Sequence, residues 1–153
     1  MFQWLLRLLN RNVRRDDYFV LAVRRAFAFL VSEYGFLETN ARLESRVACV
    51  EYEKVGVKVI VDRELGSAVQ VTLQSPMAIE PGLRREFGLH ELEQEMKRAG
   101  QHTLRPIAQN LEEEVRASAT VLRELGTEVL NGDFGVLLER QRRHLAAVRR
   151  APR

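Results

Sequence analysis

Residues 46–74 read RVACVEYEKVGVKVIVDRELGSAVQVTLQ, and this stretch decides the fold. Its apolar residues recur at every second position. Ala48, Val50 and Tyr52 alternate with Cys49, Glu51 and Glu53. Val57, Val59 and Val61 alternate with Lys58, Ile60 and Asp62, and Val69, Val71 and Leu73 alternate with Gln70, Thr72 and Gln74. A period of two sends successive side chains to opposite faces, so each segment reads as a half-buried strand. The connectors at residues 54–56 and 63–67 are short and contain glycine. That predicts two hairpins, because a parallel crossover needs a dozen or more residues. The expectation is a three-stranded antiparallel β-meander with one valine-rich face and one polar face.

Upstream, the spacing changes to that of helices. Residues 18–34 carry Phe19, Val23, Ala26, Phe27, Leu30 and Tyr34 on one stripe, and Val20, Leu21, Phe29 and Val31 widen it nearly all round. This predicts a heavily buried helix, with Asp16 and Asp17 at its start and Gly35 as its stop. Before it, residues 1–14 read as an apolar N-terminal extension helix, with apolar side chains at 2, 5, 6, 9 and 13.

Downstream, residues 76–88 hold Pro76, Pro81, Gly82 and Gly88 and read as a loop. A short helix with Leu89, Leu92 and Met96 follows. A long one starts near Thr103 and Pro106 and carries Leu104, Ile107, Leu111, Val115, Ala119, Leu122 and Val129, with Gly126 weakening it locally. Asn131-Gly132-Asp133 ends it and starts a last helix with Phe134, Leu137, Leu138, Leu145 and Val148 on one face. The chain therefore reads as one α+β domain over residues 1–153: N-terminal helices, the meander, then three C-terminal helices packed on one sheet face.

Composition sets the class. An apolar fraction of 46% and a charged fraction of 29% belong to a globular chain rather than a disordered one. The single cysteine, Cys49, cannot form an internal disulfide. No apolar run reaches transmembrane length. The N-terminal apolar stretch is broken by Arg7 and followed, not preceded, by basic residues, which is not a signal peptide. The expected location is cytoplasmic. The net charge of +3 is unevenly spread: residues 135–153 carry six basic side chains and one acidic one.

The search for chemistry fails at named positions. His90-Glu91 begins like the zinc-protease motif, but the second histidine position is Gln94. His90, His102 and His144 are scattered and read as surface histidines. Cys49 has no electropositive setting in the sequence and reads as a small strand residue. The glycines are isolated, so no phosphate loop is formed. Glu112-Glu113-Glu114 point in three directions around a helix and read as a solvated face. No catalytic, metal or cofactor site is expected.

Three surfaces remain. Glu51, Lys58, Asp62, Gln70, Thr72 and Gln74 share the polar sheet face and form a candidate partner surface. Arg140, Arg142, Arg143, Arg149 and Arg150 form a candidate basic patch for nucleic acid, against the plainer account of a solvated amphipathic helix. Phe2, Trp4, Leu5, Leu6 and Leu9 form a candidate docking segment for the core, a second subunit or a membrane surface.

The segments 29–36 (FLVSEYGF), 50–53 (VEYE), 57–63 (VKVIVDR) and 129–134 (VLNGDF) resemble a loose group of small uncharacterised bacterial proteins. These combine a helix ending in Tyr-Gly-Phe, a meander and a helical tail containing Leu-x-Gly-Asp, and some look like immunity proteins that neutralise polymorphic toxins. The resemblance implies a non-enzymatic domain that binds a protein partner or itself, immunity-like or adaptor-like. The alternatives are nucleic-acid association through the basic helix, or an enzyme of an unrecognised type.

Overall fold

The computed structural model describes residues 18–44, 46–75, 82–102 and 107–150. Its centre is a single antiparallel sheet of five strands: β1 Leu37–Leu43, β2 Val47–Lys54, β3 Val57–Glu64, β4 Gln70–Gln74 and β5 Glu86–Gly88, in spatial order β1-β2-β3-β4-β5. The three expected strands are β2, β3 and β4. The sheet gains β1 and β5, so the α+β class holds while the strand count is corrected from three to five. Neither added strand has a legible pattern. Six of the seven β1 side chains are exposed, so no period of two marks it. β5 is three residues long and buries only Phe87.

Pairing aligns the apolar positions in rows. Val50 lies opposite Val61, which lies opposite Val71; Tyr52, Val59, Leu73 and Phe87 form the next row. The β2–β3 hairpin closes through Val55 and Gly56, both at positive φ (44° and 80°). A two-residue turn of this kind matches the twist of the flanking strands, and glycine at the second position suits it.

Helix α1 covers described residues 18–26 and α2 spans Ala28–Ser32. One continuous helix was expected here. The chain instead leaves helical geometry at Phe27 (φ −95°, ψ 12°). Residues two apart on a helix point about 200° from one another. The break lets Phe27 and Phe29 both be buried, with ring centroids 6.1 Å apart. Leu21 and Val31 are each 49% exposed, so the apolar stripe does not run all round. Gly35 stops α2 as expected. Its φ of 73° lets the Phe36 N–H donate to the Leu30 carbonyl at 2.9 Å, and Phe36 is buried after it.

Four helices follow the sheet among the described residues, not three: α3 Leu89–Arg98, α4 Leu111–Leu125, α5 Thr127–Leu130 and α6 Gly135–Arg150. Asn110 caps α4 by accepting from the Glu113 N–H at 3.0 Å. The expected cap, Thr103, and Pro106 lie outside the described residues. Ile107 is 93% exposed and is not part of the α4 stripe. Gly126 ends α4 instead of weakening it, and a Cβ there would meet the Leu122 carbonyl oxygen at 2.4 Å. The glutamate run is not a plain solvated face either. Glu112 accepts from the Tyr18 hydroxyl at 2.6 Å, Glu113 from the Gln109 N–H at 2.8 Å, and Glu114 from the Val69 N–H at 2.6 Å. These three bonds tie the first turn of α4 to α1, to its own cap and to the start of β4.

The core joins the valine face to the helices. Phe19, Val23, Leu30, Leu92, Val115, Leu122, Val129, Leu130 and Leu137 pack with Val50, Val59, Val61 and Leu73. Each fully buried Val or Leu contributes about 1.5–3 kcal/mol. Tyr52 sits in this core at 2% exposure, and its hydroxyl has no partner among the described residues. Burial pushes its pKa up to about 12.

Two stability predictions follow from these positions. Val55 is β-branched, 90% exposed and held at positive φ, a conformation that costs a bulky residue about 1–2 kcal/mol. Val55→Asn is expected to stabilise the fold by about 1 kcal/mol, raising the thermal midpoint by about 3 °C in a calorimetric scan. Tyr52→Phe removes a buried, unpaired hydroxyl and is expected to leave the unfolding free energy from a urea titration unchanged or raise it by up to about 1 kcal/mol.

Candidate functional site

The open face of the sheet carries every residue that the alternation assigns to it. Glu51 pairs with Ile60 and Ile60 with Thr72; Cys49 pairs with Asp62 and Asp62 with Gln70; Glu53 pairs with Lys58 and Lys58 with Gln74. Directly paired residues share a face, so Glu51, Lys58, Asp62, Gln70, Thr72 and Gln74 are brought together. None of them belongs to the buried cluster that the helices share with the valine face.

β1 adds a residue that the sequence reading missed. Arg42 lies opposite Cys49 and donates to Glu51 Oε1 at 2.8 Å, while Lys58 Nζ reaches Glu51 Oε2 at 3.4 Å. The row Arg42–Glu51–Lys58 crosses three strands and screens Glu51 to 12% side-chain exposure. Beside it, Arg42, Glu44, Val47, Cys49, Glu51, Ile60 and Asp62 line a shallow hollow of about 300 Å³. Burial pushes the Asp62 carboxyl above its ordinary range. Burial, then the charges of Glu51 and Asp62, push the Cys49 thiol up as well, against the opposing pull of Arg42. A thiol held protonated is a packing residue and a poor nucleophile. The signal that could have found Arg42 was the apolar-polar ending Ala41-Arg42-Leu43, too short to register as a strand.

The basic patch is divided by the structure. Arg140 Nη1 donates to Glu91 Oε1 at 2.8 Å, its Nη2 donates to Gln94 Oε1 at 2.7 Å, and its Nε lies 3.4 Å from Glu95 Oε1. Arg143 donates to Glu95 Oε2, and Arg84 donates to Glu91 Oε1 at 2.8 Å. Arg140 and Arg143 are thus internal partners of buried carboxylates on α3, while Arg149 and Arg150 are exposed at the end of α6. Arg142 lies 3.5 Å from Glu139 on its own helix. The apolar stripe fades along the same helix: Phe134 and Leu137 are buried, but Val148 is 59% exposed. The pairs Arg140–Glu91 and Arg143–Glu95 advance along both helices together. α3 stops at Arg98, so the end of α6 outruns its partner.

Glu91 anchors this layer. Burial pushes its carboxyl up, but the Gly88 N–H at 2.9 Å and the guanidiniums of Arg84 and Arg140 outweigh burial and hold it below its ordinary value. Nothing in the local sequence marked Glu91 as buried, because its two arginines come from residues 7 and 49 positions away.

His90, His102 and His144 are exposed, and no group of three or more His, Cys, Asp or Glu able to hold a metal occurs among the described residues. No helix among them is long and apolar enough to cross a membrane. The candidate docking segment, Phe2, Trp4, Leu5, Leu6 and Leu9, lies outside the described residues, as does Asp16-Asp17. Comparison of the chain with protein-family models, with curated proteins and with solved structures found no match.

The depressed pKa of Glu91 makes a signed prediction. A carboxyl held below its unfolded value contributes stability that is complete above the ordinary glutamate range and is lost as pH falls through the folded value. Glu91→Gln is expected to cost about 2 kcal/mol near neutral pH. The gap to the wild type should close as pH falls through the carboxylate range, as measured by urea unfolding at about pH 7 and about pH 3.

Proposed function

We propose that this chain is a non-enzymatic protein-binding domain, immunity-like or adaptor-like, that engages its partner through the open face of the sheet. The observation that carries the reading is the composition and rigidity of that face. Charged and polar side chains from β1, β2, β3 and β4 share one surface, and Glu51 is locked between Arg42 and Lys58. A pre-ordered polar face loses little side-chain entropy on binding and gains specificity from its fixed charge order. Ile60 and Val47 add apolar contact area beside it.

Two features favour the face over the sheet edge. β1 is an edge strand, but its pairing slips at a bulge between Glu38 and Asn40, and its edge carries charged side chains. Both devices discourage strand addition. The basic helix supports a nucleic-acid reading less well, because Arg140 and Arg143 already neutralise Glu91 and Glu95.

The test is affinity capture from the native host with the wild type and with a face variant, Lys58→Glu combined with Thr72→Arg. Both substitutions sit on half-buried face positions outside the core. A protein retained by the wild type and lost from the equally stable variant supports the proposal. Identical capture by both proteins sinks it.

A further inference from the structure

A second surface lies away from the sheet face and does not rest on the reading above. α3, α6 and residues 82–84 enclose a cleft of about 790 Å³. Its lining includes Arg84, Arg98, Arg140, Arg143 and His144, with Glu95 as the one carboxylate among the described residues. Glu91 lies behind, held by Arg84 and Arg140.

The charges do not balance. Arg84, Arg140 and Arg143 share two carboxylates, Glu91 and Glu95. Arg98 adds a fourth guanidinium with no carboxylate partner among the described residues. Among the described residues, four arginines against two glutamates leave a surplus of two positive charges at one concavity, before His144 is counted. A guanidinium offers five N–H donors in a fixed fork, and Arg84 and Arg143 each spend one of theirs on a glutamate oxygen in the contacts above. The others are available to oxygens of a ligand.

Gln141 ties α6 to the segment that carries Arg84. It is 7% exposed and lines this cleft. Its Oε1 accepts from the Arg84 N–H at 2.9 Å, which fixes which way the amide points. The Nε2 group is buried and finds no acceptor among the described residues. The cleft thus combines surplus planar donors with a volume within the range of small-ligand sites.

We propose that this cleft binds a small multivalent oxyanion, with an oligophosphate as the chemistry that fits best. Bidentate recognition by arginine suits phosphate oxygens, and a surplus of two charges suits a ligand carrying more than one. The glutamates hold the arginines in place and offset their mutual repulsion. They are positioning residues for the site.

The experiment is calorimetric titration of the full chain with inorganic pyrophosphate at low salt, with orthophosphate as comparator. One saturable site is expected, with pyrophosphate at least about tenfold tighter than orthophosphate. Arg98→Ala should weaken binding about tenfold. Arg149→Ala combined with Arg150→Ala, at the helix end outside the lining, should change it less than twofold. Pyrophosphate should also raise the thermal midpoint of the wild type more than that of Arg98→Ala, which reads the site without depending on heat signals. A parallel titration with a nucleoside diphosphate separates sources: equal affinity assigns the site to the phosphate end alone, and tighter binding assigns it to nucleotides. Absence of saturable pyrophosphate binding overturns the proposal. So does an equal loss in the Arg98 and Arg149/Arg150 variants, or binding of a short RNA without binding of pyrophosphate.

Discussion

The valine-rich face of the sheet has to be kept from water, and the rest of the structure is arranged around that constraint. Val50, Val59, Val61 and Leu73 are fully buried, and side chains from all six helices among the described residues join them. The two faces of the sheet therefore have different duties. One is committed to the core. The other is free to carry Glu51, Lys58 and Asp62, which could not be buried without partners. The break at Phe27 and the stop at Gly35 serve the same constraint, since each turns an aromatic ring into the core that a straight helix would have pointed elsewhere.

The helices on the valine face are joined to one another by a second, polar layer. Glu91 and Glu95 sit on the side of α3 that meets α6, where an unpaired carboxylate would be costly. Arginine suits this place better than lysine, because one planar fork can serve several acceptors. Arg140 alone reaches Glu91, Gln94 and Glu95. The layer fixes the register of α6 along α3 more than apolar packing could, since the apolar stripe of α6 is spent after Leu138. The surplus of guanidinium over carboxylate in that layer is what leaves a charged cleft beside it.

The two surfaces differ in how they were prepared. On the sheet face, charges alternate in sign along Arg42, Glu51 and Lys58 and hold each other still. In the cleft, charges of one sign converge and are only partly neutralised. The first arrangement favours recognition of an extended complementary surface, and the second favours a compact anion.

The sequence by itself determined the meander at β2, β3 and β4, the polarity of its two faces and the stop at Gly35. Each is a local property, written in a period of two or in a residue that tolerates positive φ. Tertiary structure alone decided the rest. β1 and β5 are strands because a neighbour offers them backbone hydrogen bonds, and their side chains carry no matching pattern. Phe27 breaks a helix that its own periodicity would continue, because two rings had to reach one core. Glu112 and Glu114 are bonded because α1 and the segment leading into β4 arrive beside them. The arginines of α6 looked like one basic patch, and the fold divided them. Those facing α3 met buried carboxylates 48 and 49 positions away, and Arg149 and Arg150 at the far end did not. Charge along a sequence is additive, whereas charge in a fold depends on which opposite charge is brought within a few ångströms.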